Sequence, residues 1–366
     1  LNVFVFFLIF AGIILDKMGV RFTAVLSGFV MLVGATINWY AVTEQFMGSS
    51  LETWFNNNLN YIPGFDELGI SPFYEGMPAS AKFAAIGFMI FGCGVEMAGI
   101  TVSRGIVKWF KGREMALARG CEMALARLGV ATCMIFSPVF AKLGGDIDVS
   151  RSVAFGVILL LIALIMFIVY FFMDKKLDAQ TGEAEEKDDP FKISDLGKIL
   201  SSSGFWLVAL LCVLYYSAIF PFQKYAVNML QCNLTFTKLS PDSFWANNTV
   251  TVIQYCIMLV VAAAAFASNF AKKQSLRALY LIIAVVALVV FCYMGYMRQS
   301  AETVFAVFPL LAVGITPILG NYVDHKGKAA SMLVIGSVLL IICHLTFAFV
   351  LPAFKGNTSG GIIIAY

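Results

Sequence analysis

Apolar residues run along this chain in long stretches separated by short polar breaks. A helix needs about twenty apolar residues to cross a hydrocarbon core. Such stretches recur at roughly 1–15, 22–42, 82–103, 115–138, 151–173, 204–226, 248–269, 278–297, 303–322 and 329–351. The pattern predicts ten spans in an all-α integral membrane protein. The first stretch is short, and Gly360–Tyr366 opens another, so the reading expects a chain cut inside spans. The start carries neither the basic leader nor the small-residue cleavage site of a signal peptide.

The breaks differ in charge. One set carries Lys17 and Arg21; Arg104, Lys108, Lys111 and Arg113; Lys175 and Lys176; Lys272, Lys273 and Arg277; Lys326 and Lys328. The alternate breaks carry acids, among them Glu44, Glu52, Asp66, Glu67, Asp146 and Asp148. Excess Lys and Arg marks cytoplasmic loops, and every span then alternates without conflict. The expected setting is a bacterial inner membrane. Trp39, Trp109, Trp206 and Trp245 fall at span ends, where the indole ring prefers the interface. Two breaks are long. Residues 43–81 are expected to form a partly ordered outer cap. Residues 174–203 form a polar linker with the acidic run Glu183–Asp189, read as a solvated connection or a regulatory segment. The expected organisation is an N-terminal bundle at 1–173, the linker, and a C-terminal bundle at 204–366.

Composition narrows the function. The chain of 366 residues is 60% apolar and 13% charged, with a mean hydropathy of +0.86, whereas soluble domains are about 25% charged. A soluble enzyme and a disordered chain are both excluded. The net charge of +3 gives no reason to expect nucleic acid as a partner. His325 and His344 are too few for a histidine metal site, and none of the eight cysteines forms a CxxC pair, so no cofactor is expected. No HExxH, GxSxG or paired His/Asp motif points to catalysis.

A repeat carries the sharpest signal. The break after the first span holds Gly12, Asp16, Lys17, Gly19 and Arg21; the break after the ninth holds Gly320, Asp324, Gly327 and Lys328. Gly, Asp and Gly recur at the same offsets, each time on the cytoplasmic side. The first Gly suits close helix approach, the Asp can meet a helix N-terminus or an Arg, and the second Gly permits a tight turn. These loops resemble the signature GxxxD(R/K)xGRR of the major facilitator superfamily, with Val20 and His325 at positions where basic residues are usual. The resemblance implies a two-bundle transporter fold with gating loops between helices 2 and 3 and between 8 and 9. On that map the first span is helix 2, and 248–269 with 278–297 become an extra hairpin between helices 7 and 8. Lacking central charges, the hairpin is expected at the periphery.

Charges inside spans cost about 2.5–3.5 kcal/mol each on insertion scales and mark function. Glu96 lies in one span; Arg119, Glu122 and Arg127 lie in the next. Arg119 and Glu122, three residues apart, read as a structural ion pair. Arg127 points about 140° away from Glu122, and Glu96 is its candidate partner. Three uses are open: a fixed bridge, a clamp on a zwitterion, or a proton carried by Glu96. The zwitterion use is favoured, with the guanidinium fork on a carboxylate and Glu96 on an ammonium. Tyr215 and Tyr216, mid-span with hydroxyls to satisfy, are further candidates for the site.

The stretch Lys108–Met115 continuing through Ala126–Gly129, together with Phe220-Pro221-Phe222, resembles the lysosomal dipeptide uniporter branch of that superfamily. The resemblance implies that Glu96 and Arg127 take the amino and carboxyl ends of a dipeptide. The overall expectation is a secondary transporter in a lipid bilayer with a small zwitterionic cargo. Its alternatives are a proton-coupled exporter of amphipathic drugs and a non-transporting membrane receptor.

Overall fold

The computed structural model describes residues 6–60, 73, 74, 76–110, 115–181, 197, 199–237, 239, 240, 242–271 and 273–366. Among them the chain is helical and contains no strand. The helices are α1 (Phe7–Ala41), α2 (Ser50–Asn58), α3 (Ala79–Trp109), α4 (Met115–Ala141), α5 (Val149–Thr181), α6 (Ser203–Asn233), α7 (Asn248–Phe270), α8 (Gln274–Arg298), α9 (Ala301–Lys326), α10 (Ala329–Leu345) and α11 (Thr358–Ala365). Among the described residues nine helical segments are long and apolar enough to cross a membrane. The sequence predicts ten; the difference arises because α1 holds the first two expected spans, as two helices meeting at Gly19.

Gly19 shows why the chain breaks there. Its backbone sits at φ 79°, ψ 165°, a region essentially closed to residues with a Cβ. Gly327, its counterpart in the second loop, caps α9 at φ 69°, ψ 3° and donates its N–H to the Val323 carbonyl at 2.8 Å. That left-handed cap is open to other residues at lower cost. Gly19→Ala should therefore cost about 1–3 kcal/mol and Gly327→Ala about 1 kcal/mol. Thermal unfolding of the two variants measures the difference; equal losses would contradict the strain assigned to Gly19.

The chain divides into two compact units, Leu1–Trp109 with Phe140–Leu196, and Phe110–Val139 with Gly197–Tyr366. In the first, α1 and α3 meet backbone to backbone. A Cβ on Gly94 would lie 2.7 Å from the Met31 nitrogen, and one on Gly87 would lie 2.9 Å from the Gly34 carbonyl oxygen. Backbone atoms cannot rotate aside, so only glycine allows this approach. Gly99, on the same helix, has no atom within 4 Å of such a Cβ. At the far end of α3 the short α2 is docked as a cap. Ser49 accepts from the Glu52 amide, and Phe46, Phe55 and Ala79 are buried together against Phe83 and Tyr40. Lys82, 1% exposed, reaches into this cap and donates to Asn60 Oδ1 at 2.9 Å and the Phe55 carbonyl at 3.4 Å. Residues 61–72 of the expected cap lie outside the described residues.

In the second unit the hairpin α7–α8 packs on α9. Met258, Val261, Ala287 and Phe291 of the hairpin pack with Ala131 and Ile135 of α4 and with Ala306, Val307 and Leu310 of α9. The hairpin expected at the periphery thus buries one face against its neighbours, with Met258 and Phe291 fully buried, while Ile282, Val285, Val286 and Val289 on the other side of α8 stay exposed. Small residues rather than polar ones set which face of an apolar helix packs against its neighbours. Ala262, Ala264, Ala265 and Ala284 give the hairpin such a face. Counted from the linker, the hairpin supplies the second and third long helices, and the Gly320–Lys328 loop follows the fourth rather than the second. Helix α4, expected in the N-terminal bundle, groups with the second unit. A Cβ on its Gly120 would lie 3.0 Å from Pro317 Cα of α9. The linker also begins later than expected, since α5 continues to Thr181; the acidic run Glu183–Asp189 lies outside the described residues.

Candidate functional site

The first signature loop is wired into a cluster of charges at one end of the first unit. Asp174, on the last turns of α5, has a fully buried side chain. It accepts from Arg21 Nε at 2.8 Å, Lys108 Nζ at 2.7 Å, Trp109 Nε1 at 3.0 Å and the Tyr170 hydroxyl at 3.4 Å. Asp178, one turn on, pairs with Arg21 and lies 2.8 Å from Lys108 Nζ. Two cations and two carboxylates thus neutralise one another, with hydrogen bonds replacing the water lost on burial. The break at Gly19 delivers Arg21, the end of α3 delivers Lys108 and Trp109, and α5 delivers both acids. Asp16 makes a looser contact, 3.7 Å from Arg104 Nη1, with both side chains partly exposed. Lys17 is exposed. Gly12, expected to admit a close neighbour, has nothing within 4 Å of a built Cβ.

The second loop is a full break, where α9 ends at Lys326 and α10 begins at Ala329. Gly320 lies within the last turns of α9, Gly327 is its left-handed cap, and Lys328 is exposed. Asp324 is in the final helical turn, and its side chain lies outside the described residues. So do Lys111, Arg113 and Glu114 of the break between α3 and α4.

The charges expected inside the membrane fall on helices of different units. Glu96 is half-buried on α3 of the first unit, and Arg127 is half-buried on α4 of the second. Among the described residues neither has an ion-pair partner within its own unit. Arg119 Nη1 lies 3.1 Å from Glu122 Oε2, three residues on along α4. Tyr215 and Tyr216 on α6 are 37% and 52% exposed, and Tyr216 stacks on Phe220 with ring centroids 5.0 Å apart. Two residues on, Phe222 packs on Phe305 and Phe308 of α9 and on Phe347. Among the described residues no group of three His, Cys, Asp or Glu side chains is placed to hold a metal ion.

The residues missed by sequence reading are Tyr170, Asp174 and Asp178. Asp174 ends an apolar run and precedes Lys175 and Lys176, so it read as the start of the linker. A signal was present: Tyr170, Asp174 and Asp178 repeat every four residues, the spacing of one helix face.

Comparison with known proteins completes the picture. The profile of the Major Facilitator Superfamily matches residues 2–301. The chain is similar to proteins named Lysosomal dipeptide transporter MFSD1. The Gallus gallus protein is 30% identical over 145 residues, 37% of this chain and 32% of that protein. The Danio rerio protein is 30% identical, with 37% and 31% covered. The Homo sapiens protein is 28% identical over 144 residues, with 37% and 30% covered. The match therefore spans about a third of the length of these relatives. No solved structure matches the chain.

Proposed function

The chain belongs to the major facilitator superfamily, and from that premise we propose that it carries a small zwitterion, a short peptide, across a membrane by alternating access. The superfamily is one of membrane transporters for small molecules and not of enzymes, and the chain is an integral, multi-pass member of it. The observation that carries the peptide reading is the pair of opposite charges on apolar helices, Glu96 and Arg127, each without an ion-pair partner in its own unit among the described residues. Each costs about 2.5–3.5 kcal/mol to insert, a cost that a ligand with a carboxylate and an ammonium offsets. Arg127 takes the carboxylate through its planar fork, Glu96 takes the ammonium, and Tyr215 and Tyr216 contribute aromatic surface. The printed names of the relatives, dipeptide transporters, agree with this cargo.

The signature loops act as gates in this reading. Arg21 and Asp16 hold the first loop against α3 and α5, and exchange between states requires those contacts to loosen. The loops with Lys and Arg face the cytoplasm. The relatives are animal proteins named as lysosomal, which lends no support to a bacterial inner membrane.

The test is ligand-dependent unfolding of the purified protein with dipeptides, single amino acids and amphipathic cations. A ligand at a hundred times its dissociation constant stabilises by about 2.7 kcal/mol. Dipeptides should raise the unfolding midpoint more than amino acids do. Stabilisation by amphipathic cations alone would replace the peptide reading with that of a drug exporter.

A further inference from the structure

A groove lies on the second unit at the turn between α7 and α8, with a volume of about 750 Å³. That volume falls in the range of small-molecule sites, about 300–1,000 Å³. It is lined by Phe266, Ala267, Phe270, Ala271, Leu276 and Tyr280, and among the described residues Lys273 is the charged one. Nothing in the transport reading uses it.

The groove is graded along its length. Lys273 sits at the polar end, at the first residue before α8. Tyr280 lies seven residues on, about 10 Å along the helix axis at 1.5 Å per residue. Half of the hydrocarbon core is about 15 Å thick, so the groove runs from the membrane boundary well into one leaflet. Arg277 shares the face of Lys273 and Tyr280 by its four- and three-residue spacing. Among the described residues neither Lys273 nor Arg277 has an ion-pair partner. Phe270 is 56% exposed and Leu276 38% exposed, so apolar surface stands open beside uncompensated positive charge. This end of the hairpin is the one that the charge bias assigns to the cytoplasm, where anionic lipid is attracted to basic residues by about 1 kcal/mol each.

We infer that this groove binds an anionic phospholipid, its phosphate on Lys273 and Arg277 and an acyl chain along Phe266, Phe270, Leu276 and Tyr280. A zwitterionic lipid offers the same chain, but its headgroup carries its own cation and leaves the two basic residues uncompensated. Inorganic phosphate offers the charge without the chain. The hairpin packs on α9, so a lipid seated at its turn stabilises the hairpin and, through it, that packing.

Thermal unfolding of the full protein in neutral detergent tests this with three probes: phosphatidylglycerol, phosphatidylcholine and inorganic phosphate. Phosphatidylglycerol should raise the midpoint by roughly 5 °C near saturation, with little response to the other two. The double variant Lys273→Gln/Arg277→Gln should lose most of that response, and Phe270→Ala should weaken it. Equal stabilisation by phosphatidylcholine, or an unchanged response in the double variant, would overturn the proposal; so would an equal response to phosphate. A photoactivatable phosphatidylglycerol gives a readout on the unaltered protein. Labelling should concentrate in residues 266–280, and labelling spread evenly over the spans would overturn the site.

Discussion

Amidation of a dipeptide's C-terminus should weaken its binding about tenfold to a hundredfold in the unaltered protein, and should change little in an Arg127→Ala variant. The magnitude follows from a charge-assisted hydrogen bond worth about 1.5–3 kcal/mol, at about 1.4 kcal/mol per factor of ten. N-terminal acetylation should show the same dependence on Glu96→Gln. Arg127→Lys should still bind poorly, because a compact ammonium cannot supply the fork that a carboxylate meets with two parallel bonds. A purely structural role for the two charges predicts a different pattern. Each single variant would then lose stability, and neither would alter the response to a capped peptide. Double-mutant cycles of residue against ligand terminus separate these readings. Coupling near zero at both termini would leave Glu96 and Arg127 as structural charges.

The second large effect is on stability. Asp174→Asn should destabilise the protein by about 3 kcal/mol, the low end for breaking a buried ion pair, because Asp178 still neutralises part of the charge. The buried carboxylate serves Arg21, Lys108, Trp109 and Tyr170 at once. An asparagine there keeps the shape but removes the charge and one acceptor oxygen. Asp178→Asn should cost less, since its side chain is 16% exposed and water replaces part of the lost interaction. Lys108→Met should recover part of the loss in the Asp174→Asn background, because the cation left without its partner is then gone. Denaturant unfolding of the three variants measures this. A change within 0.5 kcal/mol for Asp174→Asn, the range of ordinary surface substitutions, would contradict the network.

Several features of this molecule are legible in the amino-acid order because they depend on local chemistry. Long apolar runs become helices, since an unpaired peptide group in lipid has no other partner. The repeated Gly-x₆-Gly spacing marked Gly19 and Gly327, and both sit in backbone conformations with positive φ. Arg119 and Glu122 are one helical turn apart, which is enough to predict their contact. Other features depend on packing that no local pattern encodes. Asp174 meets Arg21 from 153 residues away and Lys108 from 66, and its place at the edge of an apolar run disguised it as loop. The packing of α7 and α8 uses the buried alanines Ala262, Ala264, Ala265 and Ala284, which polarity alone does not reveal. Gly12 and Gly99 show the converse: a glycine in a helix is read as a contact, yet these two face open space.

The cargo and the mechanism meet in one measurement, uptake of a labelled dipeptide into liposomes containing the complete purified protein. Saturable uptake that unlabelled dipeptides suppress, and that Arg127→Ala abolishes while the variant remains folded, is the predicted result. Uptake no greater than in empty liposomes, or uptake that Arg127→Ala leaves intact, would contradict a zwitterion carrier built on Glu96 and Arg127.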